Sequence, residues 1–236
     1  MLEIAAFTPS SAILASHSGA DRIELCASYS SGGLTPSMSS LLTIRSNVPS
    51  SLPINIMIRP RAGNFRYSTA EFEAMRHDIA LFAPLASGFV FGILDKAGKV
   101  DVARNSELVD IAAPLPCTFH RAVDEVSCDV EEAVESVIAC GFKSILTSGG
   151  GKSAEEGLEK VRMMQEKFGS RVSLIVGGGV RSGNVDRIKS GAGVEWVHSA
   201  AITGEGEEVD GDEVRRIQEV LGKGTKEENG DQEMAG

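Results

Sequence analysis

Glu24 and Cys26 stand two residues apart in the run RIELC, residues 22–26. On a strand that spacing puts both on one face with Arg22, and sends Ile23 and Leu25 to the other. A thiol can hold a soft metal ion, and a carboxylate can move a proton. The same alternation pairs Glu3 with Ala5, and Thr118 with His120. It also aligns Asn55, Met57, Arg59 and Arg61. Arg59 and Arg61 flank Pro60, and Arg121 follows His120. Guanidinium groups at strand ends suit a carboxylate or phosphate clamp. If Ile and Val fill the layer outside the strands, then Glu3, Glu24, Arg59, Arg61 and His120 gather around one axis. Asp95 and His198 join them from the rim. His120, Glu24 and Asp95 are the acid–base candidates if the protein is an enzyme. For Glu3 and Glu24 a second reading stands beside this one, as buried acids paired with a neighbouring arginine.

Two glycine clusters mimic nucleotide motifs and fail both. Gly149-Gly150-Gly151-Lys152-Ser153 ends like a P-loop, but the required first glycine is Leu146. Gly177-Gly178-Gly179-Val180-Arg181-Ser182 misses the last glycine of the dinucleotide fingerprint and lies late in the chain. Backbone amides of Gly177, Gly178 and Gly179, with Ser148 as a further edge, are instead expected to seat an anion.

These groups need a frame to bring them together. Short β-branched runs begin near positions 2, 22, 54, 88, 116, 144, 172 and 194. Each gap has room for one helix. Thr8-Pro9 and Thr35-Pro36 read as helix starts, and Ser68-x-x-Glu71 and Ser153-x-x-Glu156 as capping boxes. Gly19, Gly141, Gly169 and Gly191 read as left-handed helix ends. Eight alternating strand–helix units predict a single α/β domain over residues 1–221, a (β/α)8 TIM barrel with eight parallel strands. Chemistry then belongs at the C-terminal strand ends. The eighth helix is expected over about 212–221, and residues 222–236 as a disordered acidic tail.

Composition agrees. Of 236 residues, 42% are apolar and 24% charged, as in ordinary globular proteins. The formal net charge is −10, and residues 203–236 hold 11 acids against 4 bases. No basic stripe suits nucleic acid, and no apolar run suits a membrane span. The opening MLEIAAF does not read as a secretory leader. The four cysteines form no C-x-x-C pair, so reduced thiols in the cytoplasm are expected. Cys117 shares a face with Phe119, away from His120, and Cys128 and Cys140 fall with the fifth helix. Cys26 alone points to the barrel mouth.

The strings GADRIELC (19–26), GGLTPS (32–37), IRPRAGNFRYS (58–68), TFHRAVDE (118–125), ILTSGG (145–150) and VGGGV (176–180) closely resemble the CutC copper-homeostasis family. The resemblance runs from Leu2 to about Gly204. It implies a small (β/α)8 barrel, self-association into a homo-oligomer, a cytoplasmic location with the nucleus as a second compartment, and a role in copper handling. It implies no agreed reaction. Members proposed to bind copper carry one cysteine just after the first strand's glutamate and another ending the second strand. Cys26 matches the latter, and Ala5 stands near the place of the former. The expected ligands are therefore copper as Cu(I) at Cys26, or a small anion held by Arg59, Arg61, Arg121 and the glycine loops. In the second case the protein is an enzyme acting on a small phosphorylated or carboxylated metabolite.

Overall fold

The computed structural model describes residues 1–230, with side chains described as far as Gly222. Among these residues eight parallel strands close into a barrel in sequence order. They are β1 (Leu2–Ala6), β2 (Arg22–Leu25), β3 (Ile54–Met57), β4 (Gly88–Phe91), β5 (Cys117–Phe119), β6 (Ser144–Thr147), β7 (Ser173–Gly177) and β8 (Trp196–Ser199). The helices that follow them in turn are α1 (Pro9–His17), α2 (Met38–Arg45), α3 (Thr69–Phe82), α4 (Val102–Ala112), α5 (Val130–Ala139), α6 (Leu158–Phe168), α7 (Val185–Ala192) and α8 (Gly211–Gly230). β1 and β8 close the ring through the register Leu2↔Val197, Glu3↔His198 and Ile4↔Ser199.

Local chemistry explains several element ends. Thr8 caps α1 by accepting from Ser11 N–H, with Pro9 as the first helical residue. Ser68 and Glu71 form the full capping box of α3. Three sequence expectations are corrected. α2 starts at Met38 under Ser37, while the Thr35 hydroxyl accepts from Arg59 N–H. Ser153 and Glu156 close a turn ahead of α6, which begins at Leu158. Gly191 lies inside α7, whose left-handed end is Gly193, and Gly169 keeps a helical φ of −61°. Gly19 and Gly141 have the expected positive φ.

α8 is helical as far as Gly230, past the expected end near Leu221. Of the expected tail, residues 231–236 lie outside the described residues. No helix among the described residues is long and apolar enough to cross a membrane.

Strand alternation sorts the core. Ile4, Ile23, Leu25, Ile54, Ile56, Phe89, Phe91, Ile145, Val176 and Val197 pack outward against the helices and are fully buried. Burying each such side chain contributes about 1.5–3 kcal/mol. Cys26, Met57 and Val90 form a separate small cluster with Phe7. Outside it the polar side chains Glu3, Glu24, Asn55, Thr118 and His120 are also buried. The barrel therefore has a dry outer layer and a largely polar inside.

Candidate functional site

The C-terminal mouth holds a cavity of about 310 Å³, small but within the size of metabolite pockets. One side of its lining comes from β1, β2 and β8, as Ala5, Glu24, Cys26 and His198. The other comes from the ends of β3, β5 and β7, as Arg59, His120, Gly178 and Gly179.

The first side is a chain of buried ionisable groups. Glu3 Oε2 accepts from Arg22 Nε at 2.5 Å, and its Oε1 meets His198 Nδ1 at 2.8 Å. His198 Nε2 lies 3.7 Å from Glu24 Oε2. Cys26 donates its thiol proton to that same oxygen at 3.5 Å. Glu3, Glu24 and His198 offer ligand atoms within 4.8 Å of one another. Burial raises Glu24 above the usual carboxylate range. It also drives the Cys26 thiol well up, with the nearby Glu24 charge acting in the same sense. In Glu3 burial opposes ionisation, but the His198 hydrogen bond and the Arg22 charge outweigh it and lower the carboxyl. In His198 burial works downward and is outweighed by Glu24 and Glu3, so the imidazole is raised. Arg22 also stacks 3.8 Å above Trp196, which completes the seam between β1, β2 and β8. Glu3 is tied to an arginine, whereas Glu24 lines the cavity and its Oε1 has no partner among the described residues.

His120 sits at the end of β5 against Phe65, with ring centroids 4.7 Å apart. Gly92 makes the ring's place, because a Cβ there would stand 2.8 Å from Nδ1. Nδ1 accepts from Ala122 N–H at 3.3 Å, so the neutral ring carries its proton on Nε2. Burial and the Arg59 charge push His120 down to about 3, which keeps it neutral. Nε2 has no partner among the described residues.

The arginines divide by role. Arg59 is buried and donates through Nη1 to the carbonyls of Ser31, Gly32 and Gly33, and through Nη2 to that of Gly63. It lines the mouth while stapling two loops. Arg61 lies outside the cavity lining. Its guanidinium pairs with Glu71 at 2.6 Å and donates to the carbonyls of Ala62, Asn64 and Arg66. The reason is local: past Pro60 the chain leaves the strand, and alternation no longer sets the side chain's direction. Arg121 lines the mouth, bonded to Asp124 and Ser148. Asp95 is absent from the lining and closes a turn with Lys99 N–H. Ser148 is fully buried beneath the loop, and Gly177 ends β7 against Leu146 and His198. Neither lines the cavity, whereas Gly178 and Gly179 do.

Some lining residues escaped the sequence reading. Phe7, Tyr29 and Phe65 bring aromatic faces to the mouth from the loops after β1, β2 and β3. Their signal was position alone, since loops after strands face the mouth of a barrel. Asp124 was missed too. It accepts from Thr147 Oγ1, Ser148 N–H and Gly150 N–H, which ties the strings TFHRAVDE and ILTSGG together.

Comparison with known proteins gives one consistent result. The model of the CutC family matches residues 1–203. A human protein named copper homeostasis protein cutC homolog is 42% identical over 203 residues, covering 85% of this chain and 73% of its own. A CutC family protein of Xanthomonas campestris pv. campestris strain B100 is 40% identical over 201 residues, covering 85% and 82%. The solved CutC structure from Streptococcus agalactiae superposes with a TM-score of 0.79 at 27% identity, covering 85% and 98%. Thiamine phosphate pyrophosphorylase from Pyrococcus furiosus, at 14% identity and a TM-score of 0.64, shares the fold.

Proposed function

The chain belongs to the CutC family, and we propose that it serves copper homeostasis in the cytoplasm by holding Cu(I) at the mouth of its barrel. One observation carries this reading: the Cys26 thiol and the His198 imidazole flank the same Glu24 oxygen, at 3.5 and 3.7 Å. Thiolate and imidazole are the ligands that suit copper, and the carboxylate between them can accept the thiol's proton when the metal arrives. Copper is cargo here, so an exposed rigid cage is not needed. A buried donor set at the end of an open mouth can take the ion and release it. The name of the human relative supports the same reading.

The test is competition of the full chain against a Cu(I) chelator. The wild type is expected to bind one Cu(I) per chain, and Cys26→Ser to lose it. Retention of copper by Cys26→Ser overturns the assignment. Metal analysis of protein purified without an affinity tag gives an independent readout.

A further inference from the structure

The two sides of the mouth differ in kind. Glu24, Cys26 and His198 offer acceptors and a soft ligand. The opposite side offers donors without acceptors. His120 is buried and its Nε2–H has no partner among the described residues. Arg59 is buried as well. Its Nη atoms hold four carbonyls and the Tyr67 hydroxyl interacts with the same guanidinium, while its Nε–H meets no acceptor at hydrogen-bond geometry among the described residues. Among the described residues, no acceptor is found for the N–H groups of Gly178 and Gly179. Their φ values, +109° and +76°, are left-handed, a conformation in which consecutive amides can be turned out of the ladder.

Gly178 is half-buried and Gly179 exposed, so their amides are open to a ligand. Unpaired buried donors such as His120 Nε2 and Arg59 Nε are rare in native proteins and call for a group that accepts. An oxyanion accepts from several N–H groups at once, which suits a side that offers only donors. Two adjacent amides in a glycine loop after β7 suit a phosphate, whose oxygens outnumber a carboxylate's. The cavity of about 310 Å³ leaves room for a body of several atoms beyond the phosphate. The unpartnered Glu24 Oε1, across the mouth, is placed to meet a hydroxyl.

We propose that the mouth binds a small hydroxylated phosphate monoester. Its phosphate rests on the Gly178 and Gly179 amides, and the oxygens of its body face His120 Nε2, Arg59 Nε and Glu24 Oε1. The site shares Glu24 and the cavity with the copper reading but does not rest on it. The sequence placed its anion clamp on Arg61, Arg121, Ser148 and Gly177 as well. Ser148 holds Arg121, and Arg61 is spent on its own loop.

The experiment is amide-detected NMR of the isotope-labelled full chain in copper-free buffer. Glycerol 3-phosphate is titrated, with glycerol, inorganic phosphate and glycerate as separate arms. Saturable shifts are expected at the Gly178 and Gly179 amides and at the His120 Nε2–H, tightest for glycerol 3-phosphate. His120→Phe, which removes the donor, is expected to weaken binding about tenfold, as loss of one buried hydrogen bond does. The wild-type shift map stands even if that variant fails to fold. Shifts confined to other residues, or equal binding by folded His120→Phe, overturn the site. Tighter binding of glycerate overturns the phosphate assignment, and equal binding of glycerol removes the oxyanion. Because copper is absent throughout, failure here leaves the Cu(I) reading standing, and the reverse holds.

Discussion

Ala5 is the residue on which copper affinity should turn. It is paired with Glu24 in the β1–β2 register, lines the mouth, and is buried beside Cys26's strand. A second thiol there would give Cu(I) the two soft ligands it favours. Ala5→Cys is therefore expected to bind Cu(I) more tightly than the wild type in the chelator competition. Equal affinity would mean that position 5 does not reach the ion.

At the same scale, His120 sets a pH dependence. Its folded value of about 3 lies below the roughly 6.5 of an unfolded histidine. Between those values the unfolded chain takes a proton that the folded ring refuses. Its stabilising contribution is thus full above about pH 6.5 and falls as the pH drops toward 3. His198, whose value is raised, acts in the opposite sense: its contribution is full below the unfolded value and is lost as pH rises through the folded one. Comparing one variant with the wild type separates the two. Denaturant unfolding at pH 7 and pH 5 should show a larger loss for the wild type than for His120→Gln. Equal losses would place the acid sensitivity elsewhere.

Among elements, the loops after β2 and β3 depend on two arginines that look alike in sequence. Arg59 is buried on four carbonyls, so Arg59→Ala leaves those groups without partners and opens the loop of residues 28–34. A loss of about 1.5–3 kcal/mol in unfolding free energy is expected, the range for hydrogen bonds to charged groups. Arg61 is partly exposed and holds the loop toward α3 through Glu71. Arg61→Ala should cost at most about 1 kcal/mol, as exposed pairs do. Chemical denaturation of both variants checks the order. If Arg61→Ala is the more damaging, the loop of residues 61–68 supports the barrel more than its hydrogen bonds suggest.

For the molecule as a whole, the buried side chains of the described part of α8 end at Leu221, after Val214 and Ile217. The sequence beyond is polar and glycine-rich, with little apolar surface to bury. Ending the chain after Gly222 should leave the melting temperature nearly unchanged. A drop of several degrees would show that the C-terminal residues dock on the barrel or on a second chain.

The barrel itself was legible in the sequence, because eight apolar runs at near-regular spacing permit one closed parallel sheet. All eight runs became strands, and alternation correctly turned Glu24, Cys26 and His120 inward and Cys117 outward. That success has a physical root: a strand's period of two is fixed by its backbone and needs no knowledge of neighbours. Past the strand ends the rule lapses. Arg61 and Asp95 turned to their own loops, where nearby carbonyls and amides set their direction. Likewise Asp124 gathered Ser148 and Arg121 through contacts that no local pattern records. Which donors and acceptors were left over in the mouth, and so what it can bind, was decided only when distant loops met and satisfied one another, leaving His120 Nε2, Arg59 Nε and Glu24 Oε1 without partners.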